Sequence, residues 1–290
     1  MAVLPDLPTL EVEIVVDGEA LKEYDDPDPP FSAPNTITKF VEATSGTEFS
    51  IKLHFTRDFP QDYAVKAQVL LDGKRVTNKR YRIKRLSGSH NIGGVTSKDN
   101  DDWYLQKFRF SELDIGEADS QPANLELARS LASTGKISIA FNYVKNHRRV
   151  APRDEHPELK QLEGIKEQDL KGKALSHQAI LGTKMSVNAR SRTRSDLVSA
   201  EPFATFNFKY RSHEALRADE IIPRSPSPIP LEERGVQNLS FDERGQLLER
   251  LLAEPRVKRE LPDDDDVAGG QWKRQKTKYI EDKDGAVILD

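Results

Sequence analysis

The chain has no cysteine among its 290 residues. That excludes disulfides, thiolate metal sites and cysteine nucleophiles together, and it accords with a reducing compartment. Tryptophan and methionine are scarce, with two of each. No apolar run approaches the ~20 residues that a membrane-spanning helix requires, and no N-terminal stretch has the pattern of a signal peptide. A soluble, intracellular protein is the expectation. Catalytic signatures are missing as well: there is no HExxH, no P-loop, no GxGxxG and no GxSxG. The six histidines, His54, His90, His147, His156, His177 and His213, fall at no metal-ligand spacing. No cofactor, no metal and no enzymatic activity are therefore expected. A carbohydrate-active sandwich enzyme would need paired carboxylates in a cleft, and no stretch marks such a pair.

What the sequence does contain is alternation. Leu10, Val12, Ile14 and Val16 share one face of a strand, and so do Phe49, Ile51, Leu53 and Phe55. Val65, Ala67, Val69 and Leu71 repeat the pattern, as do Ile137, Ile139, Phe141 and Tyr143. Trp103 to Phe110 reads as a further strand. Ala204, Phe206, Phe208 and Tyr210 form the closing one. Asp17-Gly18 and Asp72-Gly73 suit type I′ hairpin turns, whose two central residues both need positive φ. Ser45-Gly46 reads as a third hairpin, joining 37–43 to 47–56. The glycine-rich LSGSHNIGG after Arg85 reads as a loop, and Leu125 to Ser133 as a short helix. Residues 145–194 are charged and poor in aromatics, which predicts a long excursion from the sheet. Ser212 caps a helix over His213 to Glu220, and Pro223 ends it.

About eight strands, few helices and single-faced alternation predict a mainly β fold, an antiparallel β-sandwich of jelly-roll-like type over residues 1–222. A β-barrel is the competing architecture. A Pro-rich linker over 223–239 follows. Ser240-Phe-Asp-Glu243 matches the capping box, so an amphipathic helix is expected over 240–254, with Phe241, Leu248, Leu251 and Leu252 on one side. The composition of 255–290, basic then acidic then basic, is that of a disordered charged tail.

LEVEIVVDGEALKEY near the start, TEFSIKLHF, KGKALSHQ at 171–178 and the FKYRS…IIPRSPSP run together resemble a family of fungal proteins classed as a domain of unknown function. The resemblance covers roughly Thr9 to Pro228. It implies a β-rich domain with no assigned activity and no catalytic residues to carry over. His177 lies in one of those segments, which makes it the histidine with the best claim to a role. Its plainer reading is a strand or loop histidine with a satisfied hydrogen bond.

Two constellations point to partners. Lys74, Arg75, Lys79, Arg80, Arg82, Lys84 and Arg85 occur with no acid among them, and Arg190, Arg192 and Arg194 alternate similarly. Strand periodicity sets Arg80, Arg82 and Lys84 on one face, where they can track phosphates of a nucleic acid. The same periodicity places Tyr81 with Ile83 on the buried face, which removes Tyr81 as a base-stacking platform. The plainer reading is a solvated strand face that protects a sheet edge.

The tail holds the second constellation. Val257-Lys258-Arg259-Glu260 fits the ψ-K-x-E consensus for SUMO conjugation, with Lys258 as acceptor between Val257 and Glu260. Asp263 to Asp266 reads as the acidic extension of that consensus rather than as a calcium loop. Lys273, Arg274 and Lys276 form the core of a nuclear import signal, read by an import receptor. Val287, Ile288 and Leu289, with acids nearby, resemble a SUMO-interacting strand that adds to the modifier's sheet edge. Ser225 and Ser227, each before proline, are phosphorylation candidates. The expectation is a non-enzymatic interaction protein of the nucleus, with the cytoplasm as alternative location and nucleic-acid binding as the alternative function.

Overall fold

A computed structural model describes residues 1–27, 35–115, 130–151, 159, 161–165, 170, 174–189, 191–223 and 240–253. The chain divides into two compact units, Met1–Ser225 and Pro226–Asp290.

In the first unit the described residues form sixteen strands. They run β1 (Ala2–Leu4), β2 (Leu7–Val16), β3 (Glu19–Ala20), β4 (Glu23–Asp25), β5 (Thr36–Glu42), β6 (Glu48–Phe55), β7 (Ala64–Leu71) and β8 (Lys74–Tyr81). After these come β9 (Gly88–Ile92), β10 (Gly94–Asp99), β11 (Asp102–Glu112), β12 (Lys136–Val150), β13 (His177–Leu181), β14 (Met185–Val187), β15 (Arg192–Leu197) and β16 (Ala204–Arg211). The first sheet is ordered β1-β2-β6-β11-β10, with β3, β9, β13 and β14 paired onto it. The second is ordered β4-β5-β16-β12-β7-β8, with β15 paired to β12. Both paths have ends, so the architecture is two open sheets and not the alternative barrel. One pairing departs from the antiparallel rule: β16 and β5 run parallel.

The alternating residues meet between the sheets. Leu10, Val12, Ile14, Ile51, Leu53, Phe55, Val65, Val69, Ile137, Phe141, Phe206 and Phe208 are all completely buried, in one cluster. Each such side chain contributes about 1.5–3 kcal/mol relative to an exposed one. A smaller cluster of Leu113, Leu131, Ile165, Leu170 and Leu175 lies beside it.

Four expectations need correction. Ser45-Gly46 is not a hairpin, because β5 and β6 belong to different sheets. Ala43 N–H donates to Arg211 O in the second sheet, and Gly46 N–H to Phe110 O in the first, so this stretch is a crossover. Two strands joined by a short Gly-containing turn look alike in sequence whether they pair or pack. The glycine-rich segment after Arg85 is not a loop but β9 and the start of β10. Its side chains are too small to show a period, while its backbone pairs with β6 and β11. The strand expected through Arg85 ends at Tyr81, and Ile83–Arg85 is a 3-10 turn with Ile83 40% exposed.

Finally, much of 145–194 belongs to the sheets. β12 runs on to Val150, β13 and β14 pair with β11, and β15 pairs with β12. These strands carry polar residues where an apolar period was sought. Of the expected helix at 125–133, residues 130–133 are helical and the rest lie outside the described residues.

Helix α1 (His213–Ala218) follows the closing strand, with the Ser212 hydroxyl accepting from Ala215 N–H. It is shorter than expected, since Glu220 takes positive φ and Ile221 N–H turns back to Leu216 O. In the second unit, α2 (Phe241–Ala253) starts after Ser240 as the capping pattern requires, with Phe241 91% exposed and Leu248 60% exposed.

Candidate polyanion-binding surface

The cationic surface follows from pleat and register. Val65, Ala67, Val69 and Leu71 of β7 point into the core, so Lys66 points outward. Arg80 of β8 is the register partner of Lys66, and Arg75 that of the outward Leu70. Cross-strand partners share a face, which places Lys66, Arg75 and Arg80 together on the outer side of the second sheet. The Arg80 guanidinium reaches further and donates to Ser195 Oγ of β15 at 3.4 Å.

These cations act on one another. Burial, and then the neighbouring charges of Arg75 and Arg80, hold the Lys66 ammonium below the ordinary lysine range. Burial and the charge of Arg192 on β15 do the same to Arg80. Three strands, one of them distant in sequence, therefore bring four cations into one field.

Of the three residues singled out from the sequence, only Arg80 lies on this strand face. Arg82 precedes the 3-10 turn and Lys84 lies within it, both exposed at the β8–β9 connection. Tyr81 is turned inward as expected, with its ring centroid 4.4 Å from that of His90 and 5.8 Å from that of Phe55. Burial pushes its hydroxyl far up.

Sequence reading singled out Arg192 and Arg194 but missed the basic segment that pairs with them. Beyond Val144, β12 has no pairing to β7, and it pairs instead with β15. The two form a ribbon in which Lys145, Asn146, His147, Arg148, Arg149 and Arg194 are exposed. Arg148 and Arg194 are direct cross-strand partners. A bulge between Lys145 and Arg148 carries Asn146 at φ 55. Arg148 lies 3.6 Å from Asp196, which also accepts from Asn146 at 3.2 Å. The missed signal was the cationic KNHRRV, a segment of the same length as the RTRSDL that carries Arg192 and Arg194.

His177 is 5% exposed, at the start of β13. Its Nε2 lies 2.9 Å from Ser45 Oγ and its Nδ1 2.9 Å from Ser176 Oγ, which accepts from Ser212 N–H at 2.7 Å. The imidazole thus ties the crossover between sheets to the cap of α1, the plainer of its two readings. Burial holds it below the ordinary histidine range, against the pull of Glu112 and Glu214.

A buried polar node at Asp72 was also missed. Its Oδ1 accepts from Gly135 N–H, Lys136 N–H and Tyr210 O–H at 2.8, 3.2 and 2.6 Å, and its Oδ2 from Ala179 N–H at 2.8 Å. Burial pushes this carboxyl above the ordinary aspartate range while the four donors pull it back. The node joins β7, β12, β13 and β16, so its role is to lock the two sheets together. Among the described residues no group of three His, Asp or Glu side chains is arranged to hold a metal ion.

Val257, Lys258, Glu260, Lys273, Arg274, Lys276, Val287, Ile288, Leu289, Ser225 and Ser227, with the Asp263–Asp266 block, lie outside the described residues.

Two open β-sheets packed face to face, one with a cationic outer side, define a β-sandwich. The chain belongs to the family described as Domain of unknown function (DUF7918), whose model matches residues 9–225. No curated protein and no solved structure matches the chain.

Proposed function

We propose that this chain is a non-enzymatic nuclear interaction protein that holds a polyanionic partner against the outer face of its second sheet. The observation that carries the reading is the crowding of Lys66, Arg75, Arg80 and Arg192. Gathering like charges in a partly buried field costs folding free energy, and an anionic partner offsets that cost. The exposed Arg82 and Lys84 extend the field at one end. Nucleic acid is the polyanion that a nuclear address favours, and phosphates are what closely spaced cations engage.

In this reading the tail supplies address and regulation, on the support of its sequence pattern. Lys273, Arg274 and Lys276 engage an import receptor. Lys258, between Val257 and Glu260, accepts SUMO, and Val287, Ile288 and Leu289 bind a second copy of that modifier. Phosphates on Ser225 and Ser227 place negative charge beside Arg224. The resemblance to fungal proteins supports reading that nucleus as a fungal one.

The test is a titration of the full-length chain with heparin at rising sodium chloride. Affinity falls linearly with the logarithm of salt, and the double variant Arg75→Gln, Arg80→Gln lowers the slope by about two. Absent or salt-independent binding contradicts the reading.

A further inference from the structure

We propose that the ribbon of β12 and β15 is a duplex-DNA-binding element that lies in the major groove. This inference rests on the polyanion reading above and names the partner that the reading leaves open.

Shape is the first argument. The part of β12 beyond Val144 pairs only with β15 among the described residues, so it is a two-stranded antiparallel ribbon extending past the six-strand path. Six residues of strand span roughly 20 Å, and two strands lie ~4.8 Å apart. With side chains, that width suits the major groove, about 12 Å across, which admits a two-stranded β-ribbon. The bulge between Lys145 and Arg148 adds local right-handed twist, which helps a ribbon follow a groove.

Charge is the second argument. Lys145, Arg148, Arg149 and Arg194 are exposed on the ribbon, whose own strands carry the one carboxylate of Asp196. Arg148 faces Arg194 directly across the strands, an arrangement that destabilises an isolated hairpin. An anionic partner reverses the sign of that term. Asp196, exposed like Arg148 at 3.6 Å, steers the guanidinium without neutralising the surface. Two guanidinium groups side by side supply the bidentate donors that guanine O6 and N7 accept. Arg80, bonded to Ser195 of β15, joins the ribbon to the cationic sheet face, which is then placed for the phosphate backbone.

The choice among nucleic acids follows from what the ribbon carries. Beyond Tyr143 neither strand of it contains Phe, Tyr or Trp, His147 being its one ring, whereas single strands are held mainly by stacking on successive aromatic rings. Duplex RNA has a deep, narrow major groove that side chains do not read. Duplex DNA is the form whose groove matches.

The experiment uses the full-length chain and fluorescence anisotropy. Its probes are a labelled 20-base-pair mixed-sequence DNA duplex, one of its strands alone, and the RNA duplex of the same sequence, each at several salt concentrations. The triple variant Arg148→Gln, Arg149→Gln, Arg194→Gln is compared with the native chain, and a thermal melt of each confirms that both are folded. The native chain is expected to bind the DNA duplex about tenfold or more tighter than the other two probes. The triple variant is expected to lose about tenfold or more and to lower the salt slope by roughly three. Equal duplex binding by native chain and variant, or equal native affinity for all three probes, overturns the ribbon assignment. If heparin is still bound in a salt-dependent manner, the polyanion reading survives that result. Absence of binding to heparin and to every nucleic acid removes both.

Discussion

His177 is held between the hydroxyls of Ser45 and Ser176, and Glu112 and Glu214 are the nearest charges acting on it. Burial disfavours its cation more than those carboxylates favour it, so the folded imidazole releases its proton at a lower pH than the unfolded one, whose value is 6.5. Between the two values the unfolded chain binds the extra proton. The stability contributed is therefore present above pH 6.5 and is lost as pH falls through the folded value. The melting temperature of the native chain should drop more steeply between pH 7 and pH 5 than that of His177→Gln. Parallel curves would show that the imidazole is neutral to folding. A histidine's burial is not readable from its own letter, but its place in the resembling segment KGKALSHQ marked it. Asp72 was read only as a turn residue from the Asp72-Gly73 pair, and its φ of 49° suits that type I′ turn. That its carboxylate also gathers donors from β12, β13 and β16 depends on contacts more than 60 residues away, and no local pattern carries that information.

The alternating strands β2, β6, β7, β12 and β16 were legible because each has one face made of large apolar residues and one of polar ones. The two Asp-Gly turns were legible for a different reason: Gly18 and Gly73 take φ of 89° and 75°, which other residues adopt only under strain. Elements built without those signals were not. β9 and β10 pair with β6 and β11 through backbone, and at Gly94 the β11 backbone leaves no room for a side chain. A Cβ at that position would collide with Gln106 O of β11, so Gly94→Ala must push β10 off its partner. The expected cost is about 2 kcal/mol, a lowering of the melting temperature by roughly 4–8 °C. An unchanged melt would mean that this pairing adjusts freely. The end of β12 escaped because Arg148 and Arg149 follow one another with no apolar period, and β15 because Arg192 and Arg194 alternate only with the polar Thr193 and Ser195. That same departure from the core pattern is what the ribbon proposal rests on.

At the scale of the whole molecule, the mainly β character and the helix after Ser240 were legible from alternation and capping pattern. The pairing of the two sheets was not, since β5 and β6 look like a hairpin and are a crossover. The proposed surface is spread over β7, β8 and β15, and only the fold brings Lys66, Arg80 and Arg192 together. Its proposed partner is found in the nucleus, so the account requires the protein to be there. The most direct test is the location of the full-length chain fused to a fluorescent protein, compared with the triple variant Lys273→Ala, Arg274→Ala, Lys276→Ala. The account predicts a nuclear signal for the native chain and its loss to the cytoplasm in the variant. A native chain that stays in the cytoplasm would contradict the account.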